Sequence, residues 1–404
     1  MTSHPLNAIP LYIAIILERF VYYGSRSIII LYLIDSAINL TFSEAIQIYG
    51  WVAAVLLFAQ FAGGLLGLIN QPRALTIVGY AIQFAGASVI SFASDVNTLI
   101  IGFFLLVIGS GISKTNSLAL FAQLYKKSRL LDSAMMINYA GINIGAFIGA
   151  LTVPLLADEY SFAFAISFCA GAMFLALVLL ILIKPSSFIE QKIDHQSKSF
   201  NTAFIIIGSV AVSIFWLCYE FLSNLIVNSD VILTNVKLAK LSMTGSSTLN
   251  FILLLIAASA LSVYLTFKHI HASIFLTIGF GCSAIAVFFL SIIGDGSASV
   301  DSIYSYLIGF YFFITLAELF TGPPLLSFIL QKIKMQFIPL VLAGYFIFIS
   351  LLSKGVQMAY RHENGNTITT CLLLFGLAFS GFIILGKIRP KEVEHNSPKD
   401  EYIN

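Results

Sequence analysis

Three ionisable side chains, Glu18, Arg19 and Arg26, stand within nine residues of one another inside the first apolar segment of the chain, around the aromatic residues Phe20, Tyr22 and Tyr23. A charge at the centre of a bilayer costs roughly 2.5 to 3.5 kcal/mol even on lenient insertion scales, so such residues need partners or work to do. Positions 19, 22, 23 and 26 recur at i, i+3, i+4 and i+7, which puts Arg19, Tyr22, Tyr23 and Arg26 on one helical face, with both guanidiniums and both phenols directed into the same space. Further along, Lys114 in the fourth apolar segment, Glu220 in the seventh and Glu318 in the tenth complete a set of three acids and three bases. The cations are concentrated in the first half of the chain, and two of the acids lie in the second. A zwitterionic ligand between the halves would have its carboxylate held by Arg26 and Lys114 and its ammonium by Glu318; the plainer alternative is that these groups only stitch the halves together.

The elements that must position them are membrane helices. Hydrophobic residues make up 59% of the 404 residues and charged ones 10%, against about 25% charged in soluble domains. A helical span needs about 20 mostly apolar residues. The chain offers twelve such stretches, near 8–34, 45–69, 75–94, 98–121, 132–157, 161–183, 202–227, 248–267, 272–293, 302–330, 336–360 and 368–386. Their apolar runs are continuous and too long for barrel strands. The expected fold is therefore all-α and integral to the membrane, with twelve transmembrane helices in two six-helix bundles.

With both termini cytoplasmic, fourteen of the 21 Lys and Arg residues fall on the inner side and four on the outer, which fixes the orientation. The longest inner connection, 184–201, is polar and divides a first bundle (1–183) from a second (202–386), leaving a charged cytoplasmic tail at 387–404. Six spans, an inner linker and six more resemble the plan of the major facilitator transporters, in which two bundles rock about a central site. Cys169, Cys218, Cys282 and Cys371 have no CxxC spacing and read as small buried residues. No P-loop is present, so ATP-driven transport is not expected. The six histidines lie in tails and loops, so any proton handling falls on carboxylates.

Glu18-Arg19-Phe20-Val21-Tyr22-Tyr23-Gly24-Ser25-Arg26, running on to Leu31-Tyr32-Leu33, resembles the helix 1 motif ExxERFxYYGxR of the proton-coupled oligopeptide transporters, a family of the major facilitator superfamily. Gly109-Ser110-Gly111-Ile112-Ser113-Lys114-Thr115-Asn116 is similar to that family's helix 4 element GxGxxKxN. Tyr139-Ala140-Gly141-Ile142-Asn143-Ile144-Gly145 resembles FYxxINxG, with Asn138 where the family has Phe. Phe215-Trp216-Leu217-Cys218-Tyr219-Glu220 is similar to the helix 7 pattern, Leu249-Asn250 to the helix 8 pair, and Ala317-Glu318 through Pro323 to Ser327 to the helix 10 stretch.

The resemblance implies import of dipeptides and tripeptides with protons. Arg26 and Lys114 would hold the peptide carboxylate, and Asn143, Asn250 and Glu318 its amino end. Tyr22 and Tyr23 would line the cavity, with Trp216 stacking on substrate or packing beside the gate. Glu220 would pair with Arg26 as an outer gate, and Glu18, Arg19 and Glu318 would handle protons. Fixed charges for the two ends of a peptide plus an adaptable apolar cavity give broad specificity.

The departures bear on mechanism. Ile15 stands where the family motif begins with Glu, which places strict proton coupling in question. Leu57 replaces a helix 2 tyrosine, and Leu65-Leu66-Gly67-Leu68-Ile69 replaces a charged loop, weakening the inner latch. Gly63, Gly64, Gly141 and Gly145 serve close helix approach.

The expected partners are a short peptide, protons and the lipid bilayer, with no nucleic acid, cofactor or metal. The working unit is a monomer in a bacterial inner membrane. The alternatives are a carrier without strict proton coupling and a non-transporting membrane scaffold, which has little reason to keep buried charges. An intramembrane enzyme ranks last, because no metal-ligand or nucleophile-and-base spacing is present.

Overall fold

The computed structural model describes residues 4–35, 38–125, 130–184, 202–227, 248–268, 270–294, 300–362 and Gly376, with backbone alone for residues 53, 202–203, 219–227, 294, 300–301 and 353–362. In chain order the helices are α1 (Ala8–Ile34), α2 (Phe42–Leu66), α3 (Pro72–Ser91), α4 (Val96–Tyr125), α5 (Leu131–Glu159), α6 (Phe162–Leu182), α7 (Thr202–Val227), α8 (Asn250–Phe267), α9 (Ala272–Gly294), α10 (Val300–Lys332) and α11 (Ile338–His362). Nine helices among the described residues are long and apolar enough to cross a bilayer. The expected twelfth span at 368–386 apart from Gly376, the expected linker 184–201 beyond residue 184, and the tail lie outside the described residues.

Local chemistry moves some boundaries from where hydropathy put them. α2 starts at Phe42 because Thr41 and Glu44 form a capping box: the Thr41 hydroxyl accepts from the Glu44 N–H at 3.3 Å and the Thr41 N–H donates to the Glu44 carboxylate at 2.9 Å, satisfying two otherwise orphaned donors. α3 starts at Pro72, whose missing N–H is no loss at a first helical position. Arg73 then closes the far end of α6, donating from Nη2 to the carbonyls of Ile181 and Ile183 at 3.1 Å each.

α1 to α6 pack on one another, chiefly as α1 with α5 and α6, and α4 with α2 and α3; α7, α9, α10 and α11 pack together, with α8 against α10. Small residues allow the closest approaches: a Cβ on Gly63 would fall 2.7 Å from the Cα of Ile112, so α2 and α4 touch backbone to backbone, with Asn116 donating to the Gly63 carbonyl at 3.0 Å.

The two halves meet along α5–α8, α2–α11, α5–α10 and α4–α11. The end of this seam carrying the 67–71 turn is closed. Gly64 lies against Ala343 and Pro339. Ser133 Oγ donates to the Ser262 carbonyl at 2.8 Å and is 3.0 Å from Thr266 Oγ1. Asp132 accepts from Ser327 at 2.5 Å and from Gln331 at 2.8 Å. The closure uses glycine, proline and serine together with Asp132.

Candidate functional site

The helix 1 charges divide in two directions. Arg19 forks onto its own neighbour, Nε to Glu18 Oε2 at 2.5 Å and Nη2 to Oε1 at 2.6 Å, and Ser110 of α4 donates to the same Glu18 oxygen at 3.0 Å. Glu18 and Arg19 are both buried, making the single ion pair among the described residues. Ile15, where the resemblance expects a second acid, is buried beside them in sequence.

Arg26 takes the other direction. It donates from Nε to the Tyr49 hydroxyl of α2 at 2.6 Å and lines a cavity of about 300 Å³ with Tyr22, Tyr49, Leu57, Phe103 and Ser350. The expectation that both guanidiniums share one space is corrected here: Arg19 is drawn into the α1–α4 contact, and its link to the cavity face is a cation–π approach to Tyr22, 5.2 Å from the ring centroid. Tyr22 and Tyr23 meet edge to face at 5.2 Å, and Tyr23 is an electrostatic neighbour of Arg19, Arg26 and Tyr139.

Lys114 makes no ion pair among the described residues, with the Glu18–Arg19 pair as its electrostatic neighbours; its ammonium lies 3.9 Å from the centroid of the Phe346 ring of α11. Glu318 is buried on α10 and accepts from the Tyr139 hydroxyl of α5 at 2.5 Å, with a second side-chain hydrogen bond to Asn250 of α8. Pro323 and Pro324 follow it inside α10 and cannot donate to the carbonyls of Leu319 and Phe320, which loosens the helix next to the acid. Tyr345, neighbour of Phe346 in α11, is in turn an electrostatic neighbour of Tyr139.

Of the other expected site residues, Asn143 donates to the carbonyl of Tyr139 at 3.0 Å. Trp216 is half exposed and meets Phe215 edge to face at 5.3 Å. Glu220 lies on α7, and its side chain, with the expected gate to Arg26, falls outside the described residues. Arg26 and Lys114 are not in contact: each rests on a different aromatic residue.

Sequence reasoning gave no role to Tyr49, Phe346 or Ser110, and Tyr139 entered only as a motif letter. A larger groove of about 750 Å³ between α1, α5 and α6 is lined by residues such as Phe20, Gly145, Phe168 and Gly171, with Thr152 and Ser167 as its polar members. It offers no charge for either end of a zwitterion; the smaller cavity offers one, Arg26, and Lys114 and Glu318 are not among its lining residues.

Comparison with known proteins agrees with this architecture. A family description, the Major Facilitator Superfamily, matches residues 11–353. Among similar curated proteins are a dipeptide and tripeptide permease A of Chromobacterium violaceum, 27% identical over 195 residues, 46% of this chain and 39% of that protein, and a dipeptide and tripeptide permease B of Photorhabdus luminescens, 25% identical over 223 residues, 54% of this chain and 45% of that protein. The matched stretch thus spans less than half the length of these relatives. Among solved structures, a peptide transporter POT in complex with alafosfalin superposes with a TM-score of 0.60 at 19% identity, covering 95% of both chains. The human organic anion transporter MFSD10 superposes with a TM-score of 0.68 at 12% identity, covering 95% of this chain and all of that one. At these identities the structures speak for the fold alone.

Proposed function

The chain belongs to the Major Facilitator Superfamily, and on that premise we propose that it is a secondary transporter carrying dipeptides and tripeptides into a bacterial cytoplasm with protons, by alternating access between two six-helix bundles. The observation that carries the reading is the uneven charge of the seam. Lys114, on the first half, lies on an aromatic ring and makes no ion pair with a carboxylate among the described residues, Glu18 nearby being committed to Arg19; Glu318, on the second, rests on a phenol and an amide. A peptide brings the missing carboxylate to one and an ammonium to the other. The similarity to dipeptide and tripeptide permeases supports the same cargo.

In this reading Arg26 and Lys114 receive the carboxylate, Glu318, Asn250 and Asn143 the amino end, and Tyr22, Tyr23 and Trp216 flank the chain of the peptide. Glu220 gates against Arg26. Glu318 is the acid where proton and ligand meet, because its partners are neutral and one of them, Tyr139, stands on the opposite half. A proton on Glu18 would instead have to break the fork with Arg19 and the bond from Ser110. The Glu18–Arg19 pair orients the cavity face of α1.

Buried Ile15 favours a second reading, a carrier of the same cargo without strict coupling. Uptake of labelled dialanine into liposomes, with and without an inward proton gradient, separates the two. Gradient-stimulated accumulation supports coupling, equal uptake under both conditions supports the second reading, and no uptake of any peptide contradicts both.

A further inference from the structure

The three cations of α1 and α4 are held in three ways. Arg19 is forked onto a carboxylate, Arg26 is bonded to a phenol, and Lys114 lies against a bare ring, that of Phe346. The separation of 3.9 Å is well inside the roughly 6 Å reach of a cation–π attraction. That ring belongs to the other half of the molecule. Its helix, α11, also presses on α2 at the closed end, where Ala343 and Pro339 meet Gly64. Phe346 packs against Tyr345 with centroids 5.0 Å apart, and Tyr345 neighbours the Tyr139 that donates to Glu318.

A ring face attracts an ammonium by its quadrupole, more weakly than a carboxylate that both neutralises the charge and accepts its hydrogen bonds. Phe346 therefore satisfies Lys114 enough to keep it in place and too little to keep it from an arriving carboxylate.

We propose that Phe346 is a stand-in ligand for Lys114, occupying the ammonium while the site is empty and so setting the affinity for the carboxylate end of the cargo. The proposal rests on the peptide reading for the identity of that cargo, but the exchange of ring for carboxylate does not depend on it. Removing the ring removes the competitor, so a carboxylate binds more tightly. Because α11 bears the ring, the arriving carboxylate also frees α4 from one of its contacts with the second half, in the direction of opening.

The full chain in detergent provides the test. Phe346→Leu keeps the apolar bulk without the ring, and Phe346→Tyr keeps the ring. Reductive methylation of Lys114, followed by mass spectrometry, reports whether the ring guards the ammonium, and acetate serves as a carboxylate probe that needs no peptide site. In Phe346→Leu, Lys114 is methylated faster, while acetate and dialanine bind about two- to thirtyfold more tightly, the range a cation–π contact spans. Dialanine amide, which lacks the carboxylate, binds as in the unsubstituted protein, and Phe346→Tyr behaves like it throughout. Unchanged methylation, or dialanine and acetate affinities that stay the same or fall, overturns the proposal. If acetate gains affinity in Phe346→Leu while dialanine binds to neither protein, the stand-in role holds and the peptide reading falls.

Discussion

At the 67–71 end of the seam the two halves touch through glycine against alanine and proline, and through serine, threonine and one aspartate served by a hydroxyl and an amide. Midway along the same seam they touch through an ammonium on a ring and a carboxylate on a phenol. The first set is complete in itself: its hydrogen bonds are satisfied within the protein, each contributing a net of about 0.5–1.5 kcal/mol, and nothing in it calls for a ligand. The second set is incomplete, since Glu318 is buried with neutral partners and Lys114 lies on a ring, whereas Asp132 at the first end is only half-buried. Closure and recognition are thereby carried by different chemistry on the same helices. In the proposed transporter a ligand acts on the middle of the seam, and the closed end follows through α5 and α11, which belong to both regions.

Substitutions that act on one region and spare the other probe this division, and the largest effect falls on the middle. Glu318→Gln keeps the shape and removes the charge; truncating one member of a buried charge pair costs about 2–5 kcal/mol, so dialanine affinity drops by at least about thirtyfold, while alkylation of a cysteine introduced at Ser133 is unchanged. Next comes overpacking of the closed end. A Cβ at Gly64 would lie 2.6 Å from the Cβ of Ala343 and 3.0 Å from the Pro339 carbonyl oxygen, so Gly64→Leu disfavours closure by about 1–3 kcal/mol, and alkylation of the Ser133 reporter rises several-fold. Ser133→Ala, in the otherwise unaltered chain, removes the hydroxyl bonded across to Ser262 and Thr266. It weakens closure by about 1 kcal/mol, read as faster amide exchange at the start of α5, with dialanine affinity unchanged. The smallest effect lies outside both regions: Thr41→Ala dissolves the exposed cap of α2 at about 0.5 kcal/mol, lowering thermal stability slightly and leaving uptake alone.

Hydropathy alone located the described helices to within a few residues, because twenty apolar residues in a row admit little besides a span. α1 and α7 fall where the apolar runs put them, at 8–34 and 202–227. α2 begins earlier than its apolar run because capping at Thr41 is polar chemistry that hydropathy does not register. The site was legible wherever a charge stood in an apolar segment, since its cost makes it conspicuous: Arg26, Lys114 and Glu318 all declare themselves in this way. Their partners were not. Phe346 is one of 36 phenylalanines and lies far along the chain from Lys114, so only the folded α4–α11 contact singles it out. Adjacent helical residues point in different directions, and the spacing rule that placed Arg19 beside Arg26 took no account of a long guanidinium bending back to Glu18. Tyr139 carries a motif letter, but its bond to Glu318 depends on α5 crossing to the other half.

The central claim is that Lys114 and Glu318 hold opposite ends of one short peptide. It is tested most directly by calorimetric binding of dialanine, its amide and its N-acetyl form to the unsubstituted protein, Lys114→Ala and Glu318→Gln. Blocking the carboxyl should weaken binding to the unsubstituted protein and to Glu318→Gln but make a smaller further difference to Lys114→Ala, where Arg26 alone remains for that end, and acetylation should show the mirror pattern, with the smaller loss in Glu318→Gln. If either blocked peptide loses the same affinity in all three proteins, the two residues do not grip the ends of the cargo and the account is wrong.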